Sequence, residues 1–281
     1  MTYQIVCFKD LAAFRAASLK WLLPRHTANN SLYLAIERMN EANLSIRASW
    51  LAVLYQSQVP AGVAIIHSPL PYRTVLLSQP WPVEALTPLA AALRESAVVP
   101  SGVLAEASAA QGFAAALKRP FRSRFTLIQY VLQRPPQVPG GPGQMRPGTA
   151  ADHALLCRWI TGFINDCRLA DDPTRLPADV ADRLARAQPF YWIWEAGGQP
   201  VAVASATAIG DCARIGTVYT PPERRRRGYA EALMAALCRH LQSQGVSQIH
   251  LDADLANPTS NALYRRLGFE AIGERVELIL A

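Results

Sequence analysis

TVYTPPERRRRGYAEAL, Thr217 to Leu233, decides the reading of this 281-residue chain. A β-prone run ends in a double proline, four arginines follow, and Gly228-Tyr229-Ala230 opens an apolar helix. The first turn of a helix carries backbone N–H groups without intrahelical partners, and its dipole adds positive potential. Gly228 removes a side chain where an anion could approach the backbone, and Ala230 is nearly as small. Arginine guanidinium groups add charge and paired donors. Together these features predict a diphosphate site at a helix start. Two other phosphate loops are excluded. No G-x-x-x-x-G-K-[ST] run occurs, and this loop has one glycine where a dinucleotide fingerprint needs three.

A second stretch lies about 30 residues further on: LDADLANPTSNALYRRLGF, Leu251 to Phe269. Asn257, Pro258 and Thr259 have the chemistry of a helix start. Asn261 stands four residues after Asn257, and Tyr264 three after Asn261, so the three polar groups can share one side of a short helix. Gly268 suits a left-handed helix end and Phe269 returns to the core.

In these two stretches the chain resembles the GNAT superfamily of N-acetyltransferases. Arg225-Arg226-Arg227-Gly228-Tyr229-Ala230 fits that family's pyrophosphate motif, Gln/Arg-x-x-Gly-x-Gly/Ala. The preceding Val218-Tyr219-Thr220 is similar to its splayed strand, and Asn257 to Phe269 to the other half of its site. The resemblance covers residues from about 144 to the end. It implies an acetyl-CoA co-substrate held by Val218, Tyr219, Thr220, Arg225, Arg226, Arg227, Gly228, Tyr229, Ala230, Asn257, Asn261 and Tyr264. Val218 and Thr220 would act through their backbones, on the acetyl carbonyl and the pantetheine arm. Tyr264 would be the general acid for the departing thiolate. As a whole the chain resembles bacterial acetyltransferases with a degenerate GNAT-like domain ahead of the catalytic one. The implied fold class is α/β (α+β), with tandem domains, each a mixed, mostly antiparallel sheet flanked by helices.

The proline- and glycine-rich stretch Arg134 to Thr149 marks the boundary. The expected domains are 1–134, a linker at 135–143, and a catalytic domain at 144–281. In the second domain, Ala151–Asp166 reads as a helix with Leu155, Trp159, Ile160 and Phe163 on one stripe. A second helix follows Asp171-Asp172. FYWIWEA and VAVASATAI form a hairpin about Gly197-Gly198, with Ala202, Ala204, Ala206 and Ala208 on one face. Leu233, Leu237 and Leu241 mark the apolar face of the helix after Gly228. FEAIGERVELIL reads as a closing pair of strands. The first domain shows a similar order of elements, but Pro100–Leu117, read as the counterpart of the phosphate loop, is not basic.

The general base is open at this level. Glu195, Asp252 and Asp254 lie near strand ends, while Asp166, Asp171 and Asp172 lie in the helical region that often lines a GNAT acceptor site. Trp192 and Trp194 could wall the acceptor pocket, but core packing accounts for them better. No serine or cysteine is placed as a nucleophile, so amine attack on the thioester should be direct, in a ternary complex.

Composition bounds the alternatives. Residues are 51% apolar and 17% charged, a globular balance. No run is long and apolar enough for a membrane helix, and Lys9-Asp10 interrupts any secretory core, so a cytoplasmic protein is expected. Five cysteines without C-x-x-C spacing and five scattered histidines point to neither disulfides nor a metal. The net charge of +7 resides in residues 1–134, with 13 basic and 6 acidic residues. That surface could hold an anionic partner, or the domain could shape the acceptor site or form a homodimer. The arginines are spread out and base-stacking aromatics are sparse beside them, which disfavours nucleic acid. The expected acceptor is a small amine, an amino acid or a protein N-terminus. The alternatives are a non-catalytic CoA-binding sensor and a tandem-GNAT acyl or aminoacyl transferase with a larger donor.

Overall fold

The computed structural model describes residues 2–39, 49–66, 73–96, 98–137, 141–169 and 174–281. In chain order the elements are β1 (Tyr3–Phe8), α1 (Leu11–Leu22), α2 (Asn30–Arg38), β2 (Trp50–Gln56), β3 (Val59–Ile66), β4 (Thr74–Leu77), α3 (Leu86–Glu95), β5 (Gly102–Ala105), α4 (Ala107–Ala116) and β6 (Phe121–Leu132). Next come β7 (Gln144–Pro147), α5 (His153–Asp166), α6 (Leu176–Leu184), β8 (Tyr191–Ala196), β9 (Gln199–Ile209), β10 (Cys212–Tyr219), α7 (Tyr229–Ser243), β11 (Gln248–Asp254), α8 (Pro258–Arg266) and β12 (Phe269–Leu280).

Two compact units share the chain. One comprises Met1–Gln129, Ala253–Pro258 and Ala271–Ala281; the other Tyr130–Asp252 and Thr259–Glu270. Both are mixed α/β units whose strands are mostly antiparallel, as the sequence predicts. In the first, strands run in the order β1-β2-β3-β4-β5-β12, with only β4 and β5 parallel among the pairs whose registers are defined. In the second the order is β11-β10-β9-β8-β7, with β10 and β11 parallel. Each parallel pair is bridged by one helix, α3 or α7, because parallel neighbours need a crossover.

Two expectations are corrected here. The C-terminal segment is one continuous strand, not a pair. Gly273 does not take a positive φ, so no turn interrupts it, and Val276–Ile279 pair with Ala105–Gly102 of β5. The counterpart of the phosphate loop in the first unit is also not Pro100–Leu117, which contributes β5 and α4. It is the β4–α3 connection. There Ser78 Oγ accepts from the Val63 amide (2.9 Å), and the Asn29 side chain exchanges two hydrogen bonds with the Gln79 backbone (2.7 and 2.8 Å). Trp81 packs against Gly62 and is buried.

Around the second sheet, alternation along β9 sets which helix meets which face. Val203 joins Leu156, Trp159, Ile160, Val180, Tyr191, Ile193 and Tyr219 in the core beneath α5 and α6. Leu156 joins the expected stripe on α5, and the half-buried Leu155 and Phe163 pack against the same core. Ala202, Ala204 and Ala206 take the opposite parity. They are buried, Ala208 is exposed, and small side chains there let α7 approach β9. Leu233, Leu237 and Leu241 of α7 are buried as expected. Each fully buried leucine contributes about 1.5–3 kcal/mol to folding, so α7, which carries the phosphate loop at its head, is firmly seated. Among the described residues, no helix is long and apolar enough to cross a membrane.

Candidate active site

The site is built where β10 gives way to α7 in the second unit. Strand β10 pairs with β11 only over Cys212–Arg214, opposite Gln248–His250. With β9 its register breaks between Gly216 and Tyr219, and Thr217 takes a positive φ of 46°. A bulge of this kind bends its strand and re-aims backbone groups. Thr217 and Val218 lie within the break.

After Tyr219 the chain turns through Pro222–Arg224, and α7 begins at Tyr229. Arg226 (φ 60°) and Gly228 (φ 76°, ψ 2°) both adopt left-handed conformations. Such alternation turns successive amides toward a common concavity. Gly228 is the N-cap and offers no side-chain cap, so the first-turn amides of α7 are free of that competitor. A Cβ built on Gly228 meets no atom within 4 Å. The glycine therefore borders open space, and its φ rather than crowding explains the residue type. Glu231, in the first turn, is ion-paired with Arg266 (2.9 Å), which offsets a negative charge that would oppose an anion. Arg225, Arg226 and Arg227 are exposed, but Arg225 is engaged: its Nε donates to the Thr220 carbonyl (2.9 Å) and its Nη2 to Asp166. Arg226 and Arg227 have no carboxylate partner among the described residues.

Tyr264 lies on α8 and is 7% exposed. Its ring packs against Tyr130 and Phe269, each at 6.1 Å between centroids. Burial, reinforced by nearby Cys167 and Tyr130, pushes its phenol well above the ordinary tyrosine range. The hydroxyl is therefore held protonated, the state a proton donor requires. Asn261 shares the buried side of α8, and its Oδ1 accepts from the Tyr130 hydroxyl (3.1 Å). Asn257 is exposed in the turn before α8, its amide donating to the Asp254 carbonyl (3.0 Å), and it belongs to the first unit. Asn261 and Tyr264 are thus brought together in the core, while Asn257 is exposed.

Among the described residues, the carboxylates expected as bases all have partners. Asp166 is paired with Arg225, and Asp252 with Arg214 (2.9 Å). Glu195 accepts from Arg146 Nε (2.8 Å). The same Arg146 grips Asp152 with both Nη atoms (2.7 and 2.8 Å). That hydrogen bond, joined by two from Thr149, holds the Asp152 carboxyl below its usual range. Asp254 accepts from the Ala256 amide (2.9 Å). Asp171 and Asp172 lie outside the described residues. Trp192 and Trp194 are buried, the first packed at a tilt against His240 (4.5 Å between ring centroids) and the second donating to the Pro142 carbonyl (3.3 Å). Core packing accounts for both.

Sequence reasoning missed two contributors, Gly162 and Tyr130. Any Cβ on Gly162 would overlap the Tyr219 hydroxyl, so this glycine seats α5 directly on the end of β10. Burial and the Asp166 charge raise the Tyr219 phenol above its usual value. Tyr130, from the end of β6, organises Asn261 and Tyr264. Neither Gly162 nor Tyr130 belongs to a local motif; only spatial proximity reveals them.

Comparison with known proteins agrees with this geometry. Residues 160–269 match the model of the acetyltransferase (GNAT) family. Phosphinothricin N-acetyltransferase from Streptomyces viridochromogenes is 28% identical over 141 residues, 47% of this chain and 76% of its own length. Mycothiol acetyltransferase from Thermobispora bispora is 32% identical over 124 residues, 42% of this chain and 38% of that protein. In fold, a GCN5-related N-acetyltransferase from Sphaerobacter thermophilus superposes with a TM-score of 0.66 at 15% identity, over 98% of this chain and 94% of its own. The segment that carries the loop and helices of this site, residues 160–269, is thus similar to GNAT acetyltransferases.

Proposed function

We infer that the protein moves an acetyl group from acetyl-CoA to a primary amine by direct attack in a ternary complex. The observation that carries this reading is the coincidence of the β10 bulge with the open, left-handed Gly228 at the head of α7. The amides of Gly228, Tyr229 and Ala230, with the guanidinium groups of Arg226 and Arg227, take the diphosphate. The Thr220 backbone takes the pantetheine arm. The Val218 N–H polarises the acetyl carbonyl as it becomes an oxyanion, with no reorganisation at the moment of reaction. The amine nitrogen attacks the carbonyl carbon and the C–S bond breaks. Tyr264 gives its proton to the departing thiolate and is reprotonated from water. Because Asp166, Glu195, Asp252 and Asp254 are all engaged, proton removal from the amine is assigned to water.

Relatives named for phosphinothricin and mycothiol favour a small-molecule acceptor over a protein N-terminus. The test is thiol release from acetyl-CoA across a panel of small amines, amino acids and peptides. Amine-dependent release supports the reading. Tight CoA binding with no release from any amine would replace it with the sensor reading.

A further inference from the structure

Arg225 opens the arginine-glycine motif, yet its side chain faces protein groups. Its Nε donates to the Thr220 carbonyl at 2.9 Å, its Nη2 pairs with Asp166, and its guanidinium carbon lies 5.6 Å from the centroid of the Tyr219 ring. The two residues at the exit of β10 and the last residue of α5 therefore meet on one guanidinium. The turn between is tight, with the Arg224 amide bonded to the Pro221 carbonyl at 2.9 Å. Behind it, Gly162 brings α5 against the Tyr219 hydroxyl. Asp166 offsets the charge of Arg225, and no such partner offsets Arg226 or Arg227 among the described residues.

We propose that Arg225 is a positioning residue and not a diphosphate ligand: clamped by Asp166, it fixes the Thr220 carbonyl and the loop that presents the α7 amides. The inference rests on the acetyl-CoA reading above and assigns Asp166 a role in cofactor affinity, not in amine capture. Arginine suits this position because its planar fork serves two acceptors at once, which a lysine ammonium on a flexible stem does not reproduce.

The two roles predict opposite signs for one substitution. If Arg225 bound the diphosphate, Asp166 would compete for it, and Asp166→Asn would tighten CoA. If Arg225 positions the loop, Asp166→Asn frees the guanidinium and loosens the loop. Both side chains are partly exposed, so the effect should be about threefold to fivefold, in keeping with an exposed ion pair. The experiment measures CoA affinity by calorimetry and the kinetic constants for acetyl-CoA on full-length wild type, Asp166→Asn, Arg225→Lys, Arg225→Gln and the Asp166→Asn/Arg225→Gln double variant. Thermal melts serve as a control for folding. The expected result is weaker CoA binding and a raised KM for acetyl-CoA in every variant, with kcat and the amine KM little changed. The double variant should be no worse than Arg225→Gln. Tighter or unaltered CoA binding in Asp166→Asn, or full retention in Arg225→Lys, overturns the positioning role and leaves the acetyl-CoA reading standing. A wild type that binds no CoA overturns both.

Discussion

Two glycines with left-handed backbones separate binding from stability. Gly228 (φ 76°) borders open space, whereas a Cβ on Gly268 (φ 94°) would lie 2.7 Å from the Arg134 carbonyl oxygen. An L-residue in the left-handed region costs about 1–2 kcal/mol. Gly228→Ala should therefore lower unfolding stability by about that amount and no more, since the new methyl meets nothing in the unliganded protein. The methyl does occupy the surface over which a diphosphate must approach the α7 amides. Losing one charge-assisted hydrogen bond there costs roughly 1.5–3 kcal/mol, or about 10- to 150-fold in affinity. Gly268→Ala carries the same backbone cost plus a collision with main chain that cannot yield like a flexible side chain. It should destabilise by about 3 kcal/mol or more, while the fraction still folded binds CoA normally. Urea unfolding and calorimetry with CoA, run side by side on both variants, measure the two effects. The reasoning fails if Gly228→Ala binds CoA like the wild type, or if its stability loss exceeds that of Gly268→Ala.

Tyr264→Phe preserves the ring packing with Tyr130 and Phe269; turnover should fall about 10²- to 10³-fold with CoA affinity retained, read from steady-state rates and calorimetry. Because burial raises the Tyr264 phenol, the wild-type rate should show no loss assignable to its ionisation below about pH 10, falling only as pH passes through the higher folded value; a pH–rate profile checks this. Asp152→Asn removes a carboxylate whose folded pKa is lowered, chiefly by Arg146, so stability present above the unfolded pKa near 3.9 is lost as pH falls through the folded value. The variant should be about 2 kcal/mol less stable at neutral pH, and the gap in denaturant midpoints should close toward pH 3. Burial pushes the Cys212 and Cys238 thiols up to about 12, so both should resist a thiol reagent in the native protein and react on unfolding, as counted by mass spectrometry.

Much of the site was legible in the sequence because its parts are local. A strand, a double proline, arginines, one glycine and an apolar helix stand in unbroken order from Thr217 to Leu241, and the physics of a helix start needs nothing from elsewhere. The Asn257–Phe269 stretch reads as well for its helix, but which side of α8 a residue faces depends on neighbours. Asn261 turned inward to meet Tyr130, 131 residues away in sequence, and Asn257 stayed in the solvent-exposed turn. Long-range pairing was hidden for the same reason. Nothing in FEAIGERVELIL says that its last residues will join β5, since strand pairing is decided by partners and not by local composition. The carboxylate candidates illustrate the limit most clearly. Their positions near strand and helix ends were evident, but their arginine partners, Arg146, Arg214 and Arg225, are set by the fold.

The central claim is that the head of α7 grips the diphosphate of coenzyme A. Calorimetric titration of the full-length protein with coenzyme A and, separately, with pantetheine tests it most directly, because only the first carries the diphosphate. One site per chain with at least roughly 100-fold preference for coenzyme A is the predicted result. No measurable heat with coenzyme A, or equal affinity for the two compounds, would contradict it.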